Sequence, residues 1–382
     1  MSAAGGLQAA AAQPGGAARL FYALAFAALV GVIAYFGRAI FIPVVIAGFL
    51  SFLIYTLKET VRRGPLIGRF LPNWLCYLFA FALIISIFVL LLEIIRDNVE
   101  SLLQAAPLYE ERLRRVTQDG LHYLRQAGVM PEDFVGGVDQ LRSAALSMIN
   151  PLLAQIGGVV RSTTANFVTI LLYTVFMLVE RGRIFKKINL LNASPDRRRA
   201  VNETIGDIAA LVRQYVTVKT ATNLVTAAAS YLIMIAVGVD FAGFWALLIF
   251  ALNFIPIVGA ITAISFPVVL ALVQPEGGGL QTAALTLILL VGAEQTMSSG
   301  LEPRLIGRSL NLSPFVILLS LGVWGSLWGF AGMLLAVPIT VTMMIVMTQF
   351  ETTRPIAILL SDSGEIAPIK HAPIAPEAAG EI

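Results

Sequence analysis

Apolar residues occur in long runs separated by short polar stretches, and the runs have the length of membrane-crossing helices. In the first half they are Leu20–Gly37, Ile40–Leu57, Trp74–Ile95 and Phe167–Val179, the last extended backwards through the weakly polar 157–166. In the second half they are Val218–Val239, Phe241–Ile255, Ile261–Val273 and Leu280–Ala293. A helix needs about 20 apolar residues to cross the hydrocarbon of a bilayer. The block Ser313–Phe350 is too long for one crossing and is interrupted by Gly325, Gly329, Gly332 and Pro338. The pattern predicts an all-α, polytopic membrane helix bundle of about eight spans, with helical hairpins or re-entrant segments in its second half. Leu20–Gly37 is longer than a signal-peptide core and has no convincing small-residue cleavage site, so it is read as a retained span.

The polar stretches set the expected orientation. Lys58–Arg69 carries Lys58, Arg62, Arg63 and Arg69 against Glu59, and Glu180–Lys219 is likewise rich in Arg and Lys. Both are expected on the cytoplasmic side, which puts the amino terminus there too. The organisation that follows is a cytoplasmic tail over 1–18, a first group of three spans over 19–95, extracytoplasmic amphipathic helices over 96–157 and a fourth span over 158–182. A cytoplasmic amphipathic helix over 183–216, a core with helical hairpins over 217–350 and a cytoplasmic tail over 351–382 complete it. The outer helices read either as a passive packing lid or as a gate or assembly surface. Ser194 is placed to cap the cytoplasmic helix, with Pro195 at its first position. Its basic cluster reads as positive-inside bias or as a contact with anionic lipid.

Composition sharpens this reading. The chain has 382 residues, 58% apolar and only 13% charged, with mean hydropathy +0.83; a soluble domain is about 45–50% apolar and about 25% charged. The formal charge is +3. Cys76 is the single cysteine and His122 and His371 lie far apart, which excludes an intramolecular disulfide and disfavours a metal site. No Walker loop, Gly-x-Ser-x-Gly elbow or His-Glu-x-x-His pair is present, so neither an enzyme nor a self-powered pump is expected. No cofactor and no nucleic-acid partner are expected; membrane lipids are.

Candidate chemistry lies where the second-half runs break. In lipid every backbone amide must be bonded within the protein, so irregular backbone is tolerated only where it is buried or lines a cavity. The first break is Asn253-Phe254-Ile255-Pro256-Ile257-Val258-Gly259. Pro256 removes a helical hydrogen bond and Gly259 permits a tight turn, which predicts a hairpin tip with Asn253 beside it. The second runs from Glu294-Gln295 to Gly307. Glu294, Ser298 and Glu302 are four apart and share a face if the helix continues, and Pro303 is its candidate hinge. Glu294 reads as a pathway residue or as a structural hydrogen-bond or interfacial group, and Glu302 with Arg304 as a structural ion pair. The third, Trp324 to Gly332, contains the small-xxx-small pair Gly325 and Gly329 and reads as close packing at a second hairpin tip.

With these motifs in this order, the chain resembles the autoinducer-2 exporter family. The resemblance runs from about Leu20 to Phe350. It is carried by Asn253–Gly259, by Leu301-Glu302-Pro303-Arg304-Leu305-Ile306-Gly307-Arg308-Ser309-Leu310-Asn311-Leu312-Ser313-Pro314, and by Trp324-Gly325, Gly329 and Gly332–Pro338. It implies a permease with an eight-helix core, both termini inside, and a homo-oligomer for which a pentamer is the candidate form. It also implies an elevator-like or rocking motion. Family members are linked to autoinducer-2 export or to sodium/proton exchange, and many have no assigned substrate. The chain departs from the family at Ala260, where Pro is common. It departs again at Met297, Ser298 and Ser299, where an acidic residue and an Asn are common, leaving Glu294 as the nearest acidic group. The expected function is a secondary carrier for a small polar solute, with autoinducer-2 as a candidate. Its pathway residues would be Asn253, Pro256, Gly259, Glu294, Gln295, Glu302 and Arg304. The alternatives are a sodium/proton antiporter using Glu294 and Glu302, with H+ or Na+ as partner, and a non-transporting scaffold or receptor.

Overall fold

The computed structural model describes residues 16–63, 72–126, 166–184, 186–191, 194–306 and 311–365. Among them the regular elements are all helices, apart from one isolated bridge between Leu312 and Ser361. Helices α1 (Gly16–Phe36) and α2 (Arg38–Arg63) are joined at Gly37, and α3 spans Asn73–Gln126. Helix α4 covers 166–184. Then come α5 (Pro195–Val237), α6 (Ala242–Leu252), α7 (Val258–Val273) and α8 (Leu280–Gln295). One π-helical turn, Thr296–Leu301, links α8 to α9 (Glu302–Ile306); α10 (Pro314–Thr348) and α11 (Arg354–Leu360) follow. Among the described residues five stretches are long and apolar enough to cross a membrane: Arg38–Glu59, Asn73–Ser101, Pro195–Val237, Leu280–Leu305 and Pro314–Thr348. Helices α6 and α7 are apolar but shorter. This is the all-α membrane bundle expected from the hydrophobic runs.

Local chemistry explains the ends of α5. Ser194 is extended and its Oγ accepts from the Arg197 N–H, Pro195 opens the first turn, and Asp196 complements the positive helix end. Gly238, left-handed at φ 82°, closes the helix by donating its N–H to Met234 and Ile235. No break separates the expected cytoplasmic helix from the fifth span; α5 is one rod. Helix α3 likewise passes unbroken through residue 95, where the third span was expected to end. Residues 127–157 of the expected outer helices and 158–165 of the expected fourth span lie outside the described residues, as do residues 1–15 and 366–382 of the expected tails.

Two hairpins enter the bundle from opposite ends. The first is α6 and α7, with arms of about 16 and 24 Å at about 1.5 Å per residue. Its tip is a γ-turn: Ile257 has φ 63° and ψ −63°, and the Val258 N–H donates to Pro256 O at 2.7 Å. This conformation is rare and strained, and β-branched residues avoid it. Gly259 is required beside it, because a Cβ there would collide with the Leu252 carbonyl oxygen. The feet of this hairpin are tied by Gln274, which is almost fully buried. Its Nε2 donates to Gly238 O (2.8 Å) and Glu276 O (2.9 Å), and its Oε1 accepts from Asp240 N (3.2 Å).

The second hairpin is α10, folded at Gly329 (φ 62°, ψ −139°) into arms on either side of it. The expected tip at Gly325–Gly332 is therefore present. The arms touch where Trp324 Nε1 donates to Thr340 Oγ1 at 3.3 Å, and Trp328 Nε1 reaches Ala34 O of α1 at 3.1 Å. A Cβ on Gly332 would strike the Trp324 carbonyl, and one on Gly325 would press Met333. Gly332→Ala is thus expected to lower stability by about 2–3 kcal/mol through forced separation of the arms. Gly322→Ala, where a Cβ meets open space on the same helix, is expected to be neutral or slightly stabilising. Thermal unfolding of the two purified variants checks the contrast.

The hairpins meet at Ile255, which packs with Leu321 and Ala336 of the second hairpin. The main core joins α5, α6, α7 and α8 through Met234, Phe244, Trp245, Ile249, Ala263 and Leu290. Beyond its apolar span, α3 leans over the hairpin feet: Ile95 and Val99 pack on this core, and Tyr109 donates to Asp240 Oδ2 at 2.7 Å. Burial and the Asp240 carboxylate push the Tyr109 phenol above its ordinary value of 10.0. The raised value favours the neutral phenol in the folded state, so its stabilisation is present below pH 10 and is lost as the pH rises further. Wild type is expected to lose stability more steeply above pH 10 than Tyr109→Phe, as unfolding midpoints across that range will show.

Candidate functional site

A polar stripe on α5 faces the first hairpin and α8. Tyr215, Lys219, Thr222, Asn223, Thr226 and Ser230 recur at helical spacing and are all buried. Thr222 and Thr226 turn their hydroxyls back onto carbonyls of their own helix. Asn223 reaches across instead, its Nδ2 donating to Phe250 O at 3.3 Å. The end of α6 leaves carbonyls without helical partners, and Asn223 satisfies one of them.

The adjacent break presents Asn253, only 5% exposed. Its Nδ2 donates to Glu294 Oε2 at 2.7 Å, a bond between residues 41 apart in sequence. Its Oδ1 is buried and finds no hydrogen-bond partner among the described residues. A buried acceptor left this way carries a desolvation cost of about 1–3 kcal/mol. The hairpin tip thus offers an acceptor (Asn253 Oδ1) beside an acidic group (Glu294).

Below Glu294 the helix widens into its π turn, where the Glu302 N–H bonds to Met297 O. The widened turn lies directly before Pro303, whose ring would clash with a normal α-helical carbonyl four residues back. The segment therefore continues past the proline. Ser298 Oγ donates to Glu294 O at 2.9 Å and shares the inner side with Glu294 and Glu302.

Glu302 corrects the expected pairing. Both of its carboxylate oxygens accept from Lys219 Nζ, at 2.8 Å each, with the two side chains 9% and 19% exposed. Arg304 is exposed and forms no ion pair with Glu302 among the described residues. Residues two apart point to nearly opposite sides of a helix, so sequence proximity misled here. Tyr215, one turn before Lys219, has a buried hydroxyl without a hydrogen-bond partner among the described residues, within electrostatic reach of Glu302.

The structure thus joins Asn253, Glu294 and Glu302 through α5 and α8. Gln295 and Arg304 fall on the other side, where with Ser299, Gly300 and Leu301 they line an open hollow of about 560 Å³. Pro256 and Gly259 shape the first tip, and Gly325, Gly329 and Gly332 the second. Lys219, Asn223 and Tyr215 were not expected at the site. Their signal was legible as helically spaced polar residues entering an otherwise apolar run. Among the described residues no group of three or more His, Cys, Asp or Glu side chains is placed to hold a metal.

The family model described as AI-2E family transporter matches residues 24–352. The chain is 30% identical to the AI-2 transport protein TqsA of Escherichia coli K12 over 333 residues, 86% of this chain and 91% of that one. It is 28% identical to a putative transport protein of Haemophilus influenzae, covering 85% and 90% of the two chains. It is 25% identical to one of Borreliella burgdorferi, covering 87% and 88%.

Proposed function

Because the chain belongs to the AI-2E transporter family, and so is a multi-pass membrane transporter, we propose that it is a secondary carrier for a small, polar, hydroxylated solute that passes between the first hairpin tip and α8. The observation that carries this reading is the Asn253–Glu294 pair at the break. A carboxylate and a buried, unsatisfied amide oxygen together accept hydrogen bonds from hydroxyl groups and replace a solute's water. The hairpin tip lies on one side of the pair and the π turn follows Glu294, and irregular helices of this kind typically border the central site of carriers. Autoinducer-2, the solute in the name of the E. coli relative, is the first candidate.

The sodium/proton antiporter reading needs two carboxylates free to bind cations, and the Lys219–Glu302 pair speaks against it. We place the protein in the bacterial cytoplasmic membrane with both termini inside, acting as a carrier and not an enzyme. The basic ends of α2 and α4 support that orientation: Lys58 and Arg181 share the Tyr55 ring. Large apolar side chains exposed on α1 and α8 support contact with lipid and with further copies of the chain.

The test is uptake into proteoliposomes of purified protein, using autoinducer-2 and a panel of hydroxylated solutes, with and without proton and sodium gradients. Saturable flux of a hydroxylated solute is expected. Cation exchange without solute flux would overturn the reading.

A further inference from the structure

We propose that the groove between α2, α4 and the start of α5 is a binding site for one anionic phospholipid, with an acyl chain along the groove and the phosphate at Arg181. The groove holds about 360 Å³ and its walls include Phe52 of α2, Met177 and Leu178 of α4, and Ile208 and Val212 of α5. Arg181 is the charged member of this lining, at the end where α2 and α4 leave their apolar runs. Its guanidinium carbon lies 3.3 Å from the centre of the Tyr55 ring, which holds the cation at the rim. Lys58 is held by the same ring, at 5.2 Å, and by the ring of Tyr77, at 5.1 Å.

Charge decides the class of occupant. Glu59 is bonded to Lys58, and Glu180 to Lys187. Arg62 follows on α2 and Arg183 on α4, and they leave the rim with an excess of positive charge. The acidic Glu203 and Asp207 of α5 are exposed and outside the groove lining. An apolar trough ending at a cationic rim, between helices at one end of a membrane bundle, matches a phospholipid with net negative charge. Each basic residue near such a headgroup favours binding by about 1 kcal/mol. Neither Asn253 nor Glu294 lines the groove, and its occupant does not depend on which solute the carrier moves.

Native mass spectrometry of the full-length protein in detergent, titrated with phosphatidylglycerol or phosphatidylcholine of matched chains, tests this. Wild type is expected to retain phosphatidylglycerol over phosphatidylcholine by about fivefold or more. Arg181→Gln should bring the two close to parity, whereas Arg38→Gln, about 30 Å from the rim at the other end of α2, should keep the preference. Ala209 of α5 also lines the groove, and Ala209→Phe, which fills it without touching its charge, should reduce retention of both lipids. Unfolding midpoints confirm that each variant is folded, and Ala209→Leu replaces the larger side chain if it is not. Equal retention of the two lipids by wild type overturns the proposal. So does an undiminished phosphatidylglycerol count in the filled variant, or a filled variant that changes only the number of copies per particle, which would make the groove a subunit contact.

Discussion

Lys219→Met is expected to lower the stability of the protein by about 3–5 kcal/mol, the cost of leaving the buried Glu302 carboxylate without its cation. The loss comes from the stranded partner more than from the bond itself. The double variant Lys219→Met/Glu302→Leu is therefore expected to recover most of it, because an apolar pair of similar volume needs no compensating charge. Unfolding in detergent, followed for both single variants and the double, forms the cycle that isolates the pair. A single-variant loss below about 1 kcal/mol would mean that water reaches Glu302 and supports it.

The largest effect on transport is expected at Asn253. Asn253→Ala removes the donor to Glu294 and the unsatisfied acceptor beside it. A hydrogen bond to a charged group contributes about 1.5–3 kcal/mol, so flux per folded protein should fall about 10-fold to 100-fold. Asn253→Asp keeps the shape but places a second carboxyl against Glu294, and should fall at least as far. Normalising flux to the folded fraction separates this from a folding defect. Undiminished flux in Asn253→Ala would move the pathway away from the first hairpin.

The breaks were readable because they follow from single residues. Pro256, Gly259 and Gly329 each forbid or permit a backbone conformation, and the chain turns at each of them. What the turns bring together was less readable. Asn253 and Glu294 each stood out as polar groups inside apolar runs, but their bond depends on how deeply α6 and α8 enter the bundle, which no local pattern encodes. Lys219 was counted among the loop charges because it follows a basic segment. Only the unbroken course of α5 carries it inward to Glu302. The continuity of α3 was hidden for a related reason. A change from apolar to charged composition marks where a helix leaves lipid, not where its hydrogen bonding stops.

Gln274 has a consequence for how solute reaches both sides. It fastens the segment that leads into α6 to the end of α7, so the two cannot slide past each other while its bonds to Gly238 O and Asp240 N last. Access to the tip must then alternate by carrying the paired rods together as a single flap relative to their neighbours. Only the strained bend at Ile257 remains as a place where the flap itself can yield.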